Sequence, residues 1–99
     1  NRQIECAEVW LKSQPNNAQL LLTLGKLCTH CELWGKAQNY LEASLSVEPG
    51  HKAHFALAQL NEKLGKHELA MTHYNKGLEI MISSLYHNRN AASINLMHF

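Results

Sequence analysis

The chain repeats itself. "WLKSQPNN" and "SLSVEPGH" each carry a proline, Pro15 and Pro49, 34 residues apart. Shifting the sequence by 33 aligns more of it. Leu24 falls on Leu57, Gly25 on Ala58, Ala37 on Ala70, Leu41 on Tyr74 and Leu45 on Leu78. "GKAQNYLEASL" lies over "ELAMTHYNKGL". A period of this length holds two antiparallel helices and a turn, and such a unit buries its apolar face only against a neighbour. The one-residue difference falls at "PGH", where an insertion costs little.

Within each unit the apolar residues recur at three- and four-residue steps, the helical period. Leu20, Leu21, Leu24, Leu27, Cys28 and Cys31 form one stripe, and Trp34, Ala37, Tyr40, Leu41, Ser44 and Leu45 a second. Phe55, Leu57, Ala58, Leu60 and Leu64 give a third, and Ala70, Tyr74, Leu78, Met81, Ile82 and Leu85 a fourth. Ile4, Ala7, Trp10 and Leu11 make a short fifth. No stretch alternates with the period of two that a strand needs. Asn16-Asn17 supplies a helix N-cap, Pro49-Gly50 breaks the chain, and Gly65 sits where a helix ends in a left-handed residue. The reading is all-α, with helices over residues 2–13, 17–31, 34–47, 51–64 and 67–87. They form one helical domain, 1–87, divided into a partial unit 1–15 and units 16–49 and 50–87. Residues 88–90 read as a stop. The tail 88–99 carries Ile94, Leu96, Met97 and Phe99, apolar enough to dock or else left disordered.

Composition removes several function classes. Nine Lys or Arg stand against eight acids, scattered along the chain, so no phosphate-binding surface for nucleic acid is built. No apolar run approaches the roughly 18 residues that cross a bilayer. With neither a signal sequence nor an initiator Met, Asn1 reads as an internal point of a longer protein. The chain has no Asp, so no Ser-His-Asp arrangement exists, and "KLGKHE" lacks the phosphate-loop spacing. The expectation is a non-enzyme.

"LCTHCELWGKA" is the one stretch with metal-like spacing. Cys28 and Cys31 fall on the last turn of the first helix of unit 16–49, where cysteine serves as a small apolar filler. Zinc needs two more ligands at suitable spacing, which His30, His51 and His54 do not supply. Haem attachment needs His directly after the second Cys, where Glu32 stands. A redox pair needs its first Cys at a helix N-terminus, and Cys28 is near a C-terminus. The cysteines are expected as free thiols with no metal and no cofactor. Gly35, in the first turn of the next helix, costs up to about 1 kcal/mol against Ala unless a close neighbour offsets it.

The matched positions resemble the tetratricopeptide repeat (TPR) family. In unit 16–49, Leu24-Gly25, Ala37, Leu41, Ser44 and Pro49 take the family's signature positions, and in unit 50–87 Leu57-Ala58, Ala70, Tyr74 and Gly77 do so. Leu21 and His54 stand where the family favours Trp. The first unit lacks the Gly of the inter-helix turn, and the second lacks the closing Pro. The resemblance implies antiparallel helix pairs in a right-handed α–α superhelix. "WLKSQPNNAQLLLTLGKLC", "LWGKAQNYLEASL" and "LAQLNEKLGKHELAMTHYNKGL" resemble, more narrowly, the C-terminal TPR region of the HemY family, inner-membrane proteins associated with bacterial haem biosynthesis. That resemblance implies an N-terminal membrane anchor outside this sequence, a soluble TPR region on the cytoplasmic face, and a scaffold for haem-biosynthesis enzymes.

TPR arrays bind partners in the groove lined by their first helices. The register puts Gln19, Leu22, Lys26, Thr29 and His30 there from unit 16–49, with Lys52, Phe55, Gln59, Glu62 and Lys63 from unit 50–87. An apolar middle with Lys around it suits a protein segment with an apolar anchor and acidic flanks. The alternative is direct haem or porphyrin binding, with His30 or His54 as axial ligand and Phe55 or Trp34 stacking. Apolar ends left open by the missing neighbours imply a homodimer, or a tail folded back over one of them.

Overall fold

The computed structural model describes residues 1–97, with side chains as far as His87. Five helices follow in order: α1 (Arg2–Ser13), α2 (Ala18–His30), α3 (Trp34–Val47), α4 (His51–Lys63) and α5 (His67–Met97). There is no strand among the described residues. α2 pairs with α3 and α4 with α5, and these are the two most extensive helix contacts. α3 also touches α4, α2 touches α4, and α1 packs on α2. The fold is all-α, built of antiparallel helix pairs as the repeat requires.

Local chemistry sets the helix ends. The Asn17 side chain accepts from the Leu20 N–H and starts α2, and Asn1 caps α1 in the same way. The two inter-helix turns are copies of each other. Leu33 N donates to Cys28 O at 2.8 Å and Glu32 N to Thr29 O at 3.1 Å. Thirty-three residues on, Lys66 N donates to Asn61 O at 2.8 Å and Gly65 N to Glu62 O at 3.0 Å. This pair of bonds is the Schellman motif, which needs one residue in the left-handed region. Gly65 takes it at φ +75° without a side chain to clash. Glu32 takes the same place at φ +62°, where a side chain costs energy.

The core follows the small-and-large logic of the pattern. Leu24, Cys28, Ala37 and Leu41 are fully enclosed, with Ala53, Ala56, Leu57 and Leu60 joining them from α4. A Cβ on Gly25 would run into the Leu41 side chain, with the Leu41 backbone N only 3.3 Å away. Gly25 therefore lets α2 and α3 approach closely. Ala70, on α5, is equally enclosed.

Four expectations fail. Gly35 has no neighbour within 4 Å of where a Cβ would stand, so nothing offsets its cost. Trp10 is 54 % exposed, because the apolar stripe of α1 turns only Ile4, Ala7 and Leu11 inward. The stripe on α5 is covered only as far as α4 reaches. Leu78, Met81, Ile82 and Leu85 are all exposed. Finally, residues 88–90 do not stop α5, which continues to Met97. Asn and Arg cost a helix at most about 0.7 kcal/mol each, and neither Pro nor Gly occurs after Gly77. The docking or disorder expected of Ile94, Leu96, Met97 and Phe99 lies outside the residues whose side chains are described.

Candidate functional site

α2 and α4 lie side by side, and two adjoining hollows run between them. One, about 260 Å³, is walled by Lys26, Thr29 and His30 of α2 and by Ala56, Gln59 and Lys63 of α4. The other, about 220 Å³, gathers Gln19 and Leu22 with His51, Lys52 and Ala53, and is closed at one side by Ser44 of α3 and by Glu48 just after it. The repeat explains the matched walls. Gln19 and Lys52, Lys26 and Gln59, and His30 and Lys63 are pairs 33 apart, so equivalent helices point them the same way. The floor is apolar and small. Leu22 is 5 % exposed, and Ala53 and Ala56 are nearly enclosed. Thr29 is also part of the floor, its hydroxyl donating to Gly25 O at 2.8 Å.

Phe55 and Glu62 do not join this groove. The Phe55 ring lies over Gly77 of α5, edge-on to His51 (centroids 5.9 Å) and tilted against Tyr74 (6.2 Å). Glu62 stands beside the Tyr74 hydroxyl, whose pKa is raised by burial first and by that carboxylate second. Both side chains turn toward α5 because α4 carries apolar residues nearly all round, and α5 claims part of that circumference. Sequence reasoning missed Ala53 and Ala56 in the groove floor. Their signal was present, as small residues one helical turn from the walls, but the pattern reads first as helix packing.

The histidines divide. His30 is exposed on the groove wall. His54 is buried, and its Nδ1 lies 3.2 Å from Nδ1 of His73 across the α4–α5 seam. Burial, with the neighbouring imidazole and Lys76 adding to it, holds the His54 pKa below the ordinary value. Burial does the same to His73, helped by Lys76 and opposed by Glu42. Two neutral rings sharing one proton between facing nitrogens account for the contact.

The cysteines sit apart from the groove. Cys28 is fully enclosed, and burial pushes its thiol above the ordinary pKa, away from the thiolate that a metal or a nucleophile needs. Cys31 accepts from the Asn1 amide at 3.3 Å. In the second unit Asn61 and Leu64 occupy these two positions, and Asn61 bonds back to Leu57 O at 2.8 Å. Both pairs are thus helix-end packing residues. No group of three His, Cys, Asp or Glu among the described residues could hold a metal ion. A polar link on the outer side joins α1 to α3, where Glu8 accepts from the Tyr40 hydroxyl and from Lys36 Nζ at 3.1 Å. The Tyr40 phenol is pushed up to about 12, by burial first and then by Glu8.

Compared with known families, residues 51–80 match the tetratricopeptide repeat. No curated protein and no solved structure matches the chain. The matched stretch is α4 with the α4-covered part of α5. TPR repeats generally mediate protein–protein interaction, and the hollow between α2 and α4 is where the matched stretch faces the unit before it. No helix among the described residues is long and apolar enough to cross a membrane.

Proposed function

We propose that the chain is a protein-binding module whose groove between α2 and α4 takes a segment with an apolar anchor and acidic flanks. The observation that carries this reading is the hollow of Lys26, Thr29, His30, Ala56, Gln59 and Lys63. Its floor is Ala56 beside Thr29, continued by Leu22 and Ala53 in the adjoining hollow, and its rim is cationic. Lys52 extends the cationic edge into the second hollow. Glu48 and the exposed imidazole of His30 bound the groove and set its polarity. We further propose that the parent protein is a membrane-anchored scaffold for haem-biosynthesis enzymes on the cytoplasmic face of a bacterial inner membrane. What supports this context is the likeness of "LWGKAQNYLEASL" and its flanks to the HemY family.

Direct haem binding is the weaker reading. His54 is turned into the α4–α5 seam with its Nδ1 against His73, and each hollow is below the roughly 300–1,000 Å³ of small-molecule sites. The test is affinity capture of haem-biosynthesis enzymes on the wild-type chain and on a Lys26→Glu/Lys63→Glu variant, with a haem titration beside it. Capture by the wild type and loss in the variant supports the reading. A saturable Soret shift abolished by His30→Ala, with no enzyme captured, would replace it with direct haem binding.

A further inference from the structure

The largest apolar feature outside the groove is the open side of α5. Met71, Leu78 and Leu85 are seven residues apart, and Tyr74 and Met81 repeat three residues after the first two. This is a heptad seam, the pattern by which one straight helix lies along another. α4 covers only part of it. Met71 is 57 % exposed, Leu78 49 %, Met81 43 %, Ile82 49 % and Leu85 58 %, with Tyr86 at the edge. Six large side chains about half exposed leave a patch on the order of 600 Å², the upper end of what monomers show. It approaches the roughly 800 Å² per partner of a stable complex.

The molecule itself contains a covered version of this face. Leu41 and Leu45 of α3 are the equivalents of Tyr74 and Leu78, and α3 packs against α4. Leu41 is fully enclosed and Leu45 partly buried. The face of the second helix in a unit is therefore a helix-binding face. Within this chain α2 and α4 already have their apolar sides in the core. On a second copy the open face of matching length is its own α5, since α1 leaves only Val9 and Trp10 exposed among its large apolar residues. Between Ala70 and Tyr86 that helix carries one Lys and one Glu, Lys76 and Glu79, so two copies meet without net like-charge repulsion.

We propose that the chain binds a second copy of itself through α5, the two helices lying antiparallel about a two-fold axis near Leu78 and Ile82. The contact is isologous, so it closes at the dimer. It leaves the α2–α4 groove of each copy open, and the dimer thus presents two grooves. This interface stands independently of the groove's ligand.

Sedimentation velocity on the 99-residue chain across micromolar concentrations tests it, with helix content followed by circular dichroism. The wild type is expected to sediment as a dimer. Leu78→Glu/Leu85→Glu is expected to be a monomer of unchanged helicity, and Met71→Lys, at the end of the seam, to weaken association several-fold. Trp10→Lys, on the open face of α1, should leave the dimer intact. A wild-type monomer throughout, a dimer that survives Leu78→Glu/Leu85→Glu, or one that Trp10→Lys dissolves would overturn the proposal. Lys26→Glu/Lys63→Glu should keep the dimer, which separates a failure here from a failure of the groove.

Discussion

The two units place different chemistry on the same frame. In unit 16–49 the seam is Leu21 and Tyr40, the close approach is Gly25 on Leu41, and neighbours cover both sides. In unit 50–87 the seam is His54 and His73, the matching small residue is Ala58, and the far side of α5 is open. Backbone geometry is shared down to the paired turn bonds. What differs is how much each position is enclosed. Position in the repeat therefore fixes direction, while the number of neighbours fixes the energetic weight of the side chain.

Truncating equivalent residues should expose that difference most. Leu41→Ala removes a fully enclosed side chain and is expected to cost about 2–5 kcal/mol. Tyr74→Ala, at the same position but half-buried, should cost clearly less by chemical denaturation. Equal losses would mean that the open side of α5 is not open in solution.

Enlarging small residues is the next test. Ala37→Leu and Ala70→Leu should each destabilise by about 1–3 kcal/mol through overpacking, since both are enclosed. An unchanged denaturation midpoint for Ala37→Leu would mean a wrong register. Gly25→Ala should cost a similar amount, because enclosed Leu41 cannot retreat. Gly77→Ala meets the ring of Phe55, which is half-buried and can swing away. Its gain in helix propensity, up to about 1 kcal/mol, should offset most of the clash.

The period of 33, the helix starts to within a residue and the core stripes of α2, α3 and α4 could be read from the residues. Leu24, Ala37, Leu41 and Ala70 lie where that reading put them. The end of α5 could not be read, because 88–90 carries residues that neither favour nor forbid a helix strongly. Nor could Glu32 be read as left-handed. Its own chemistry does not ask for φ +62°, and only its equivalence to Gly65 reveals it. The groove walls followed from position, with Lys26, His30, Gln59 and Lys63 brought together. Phe55 and Glu62 did not follow, because α4 is apolar nearly all round and its choice of face is made by α5.

The turns give a smaller comparison. Glu32→Gly should stabilise by about 1 kcal/mol by relieving the left-handed side chain. Gly65→Glu should lose a similar amount. If Glu32→Gly destabilises instead, the two turns are not equivalent.

Acid should separate the seams by the least. Both His54 and His73 have folded pKa values below the ordinary histidine value because burial disfavours the charged ring. The folded chain then binds fewer protons than the unfolded chain below about pH 6.5, so this stability is present above that pH and lost as pH falls. His54→Leu/His73→Tyr transplants the seam of the first unit and should flatten the decline in melting temperature between neutral and mildly acidic pH. A variant that follows the wild-type pH profile would place the sensitivity elsewhere.

Hydrogen exchange read along the chain at two concentrations tests most directly that enclosure differs between the units. At high dilution α2, α3, α4 and α5 up to about Ile80 should exchange slowly, and α5 from Met81 onward much faster. Raising the concentration should slow exchange in α5 alone. Uniform protection along α5 at high dilution, or protection gained in α2 and α3 instead, would contradict this account.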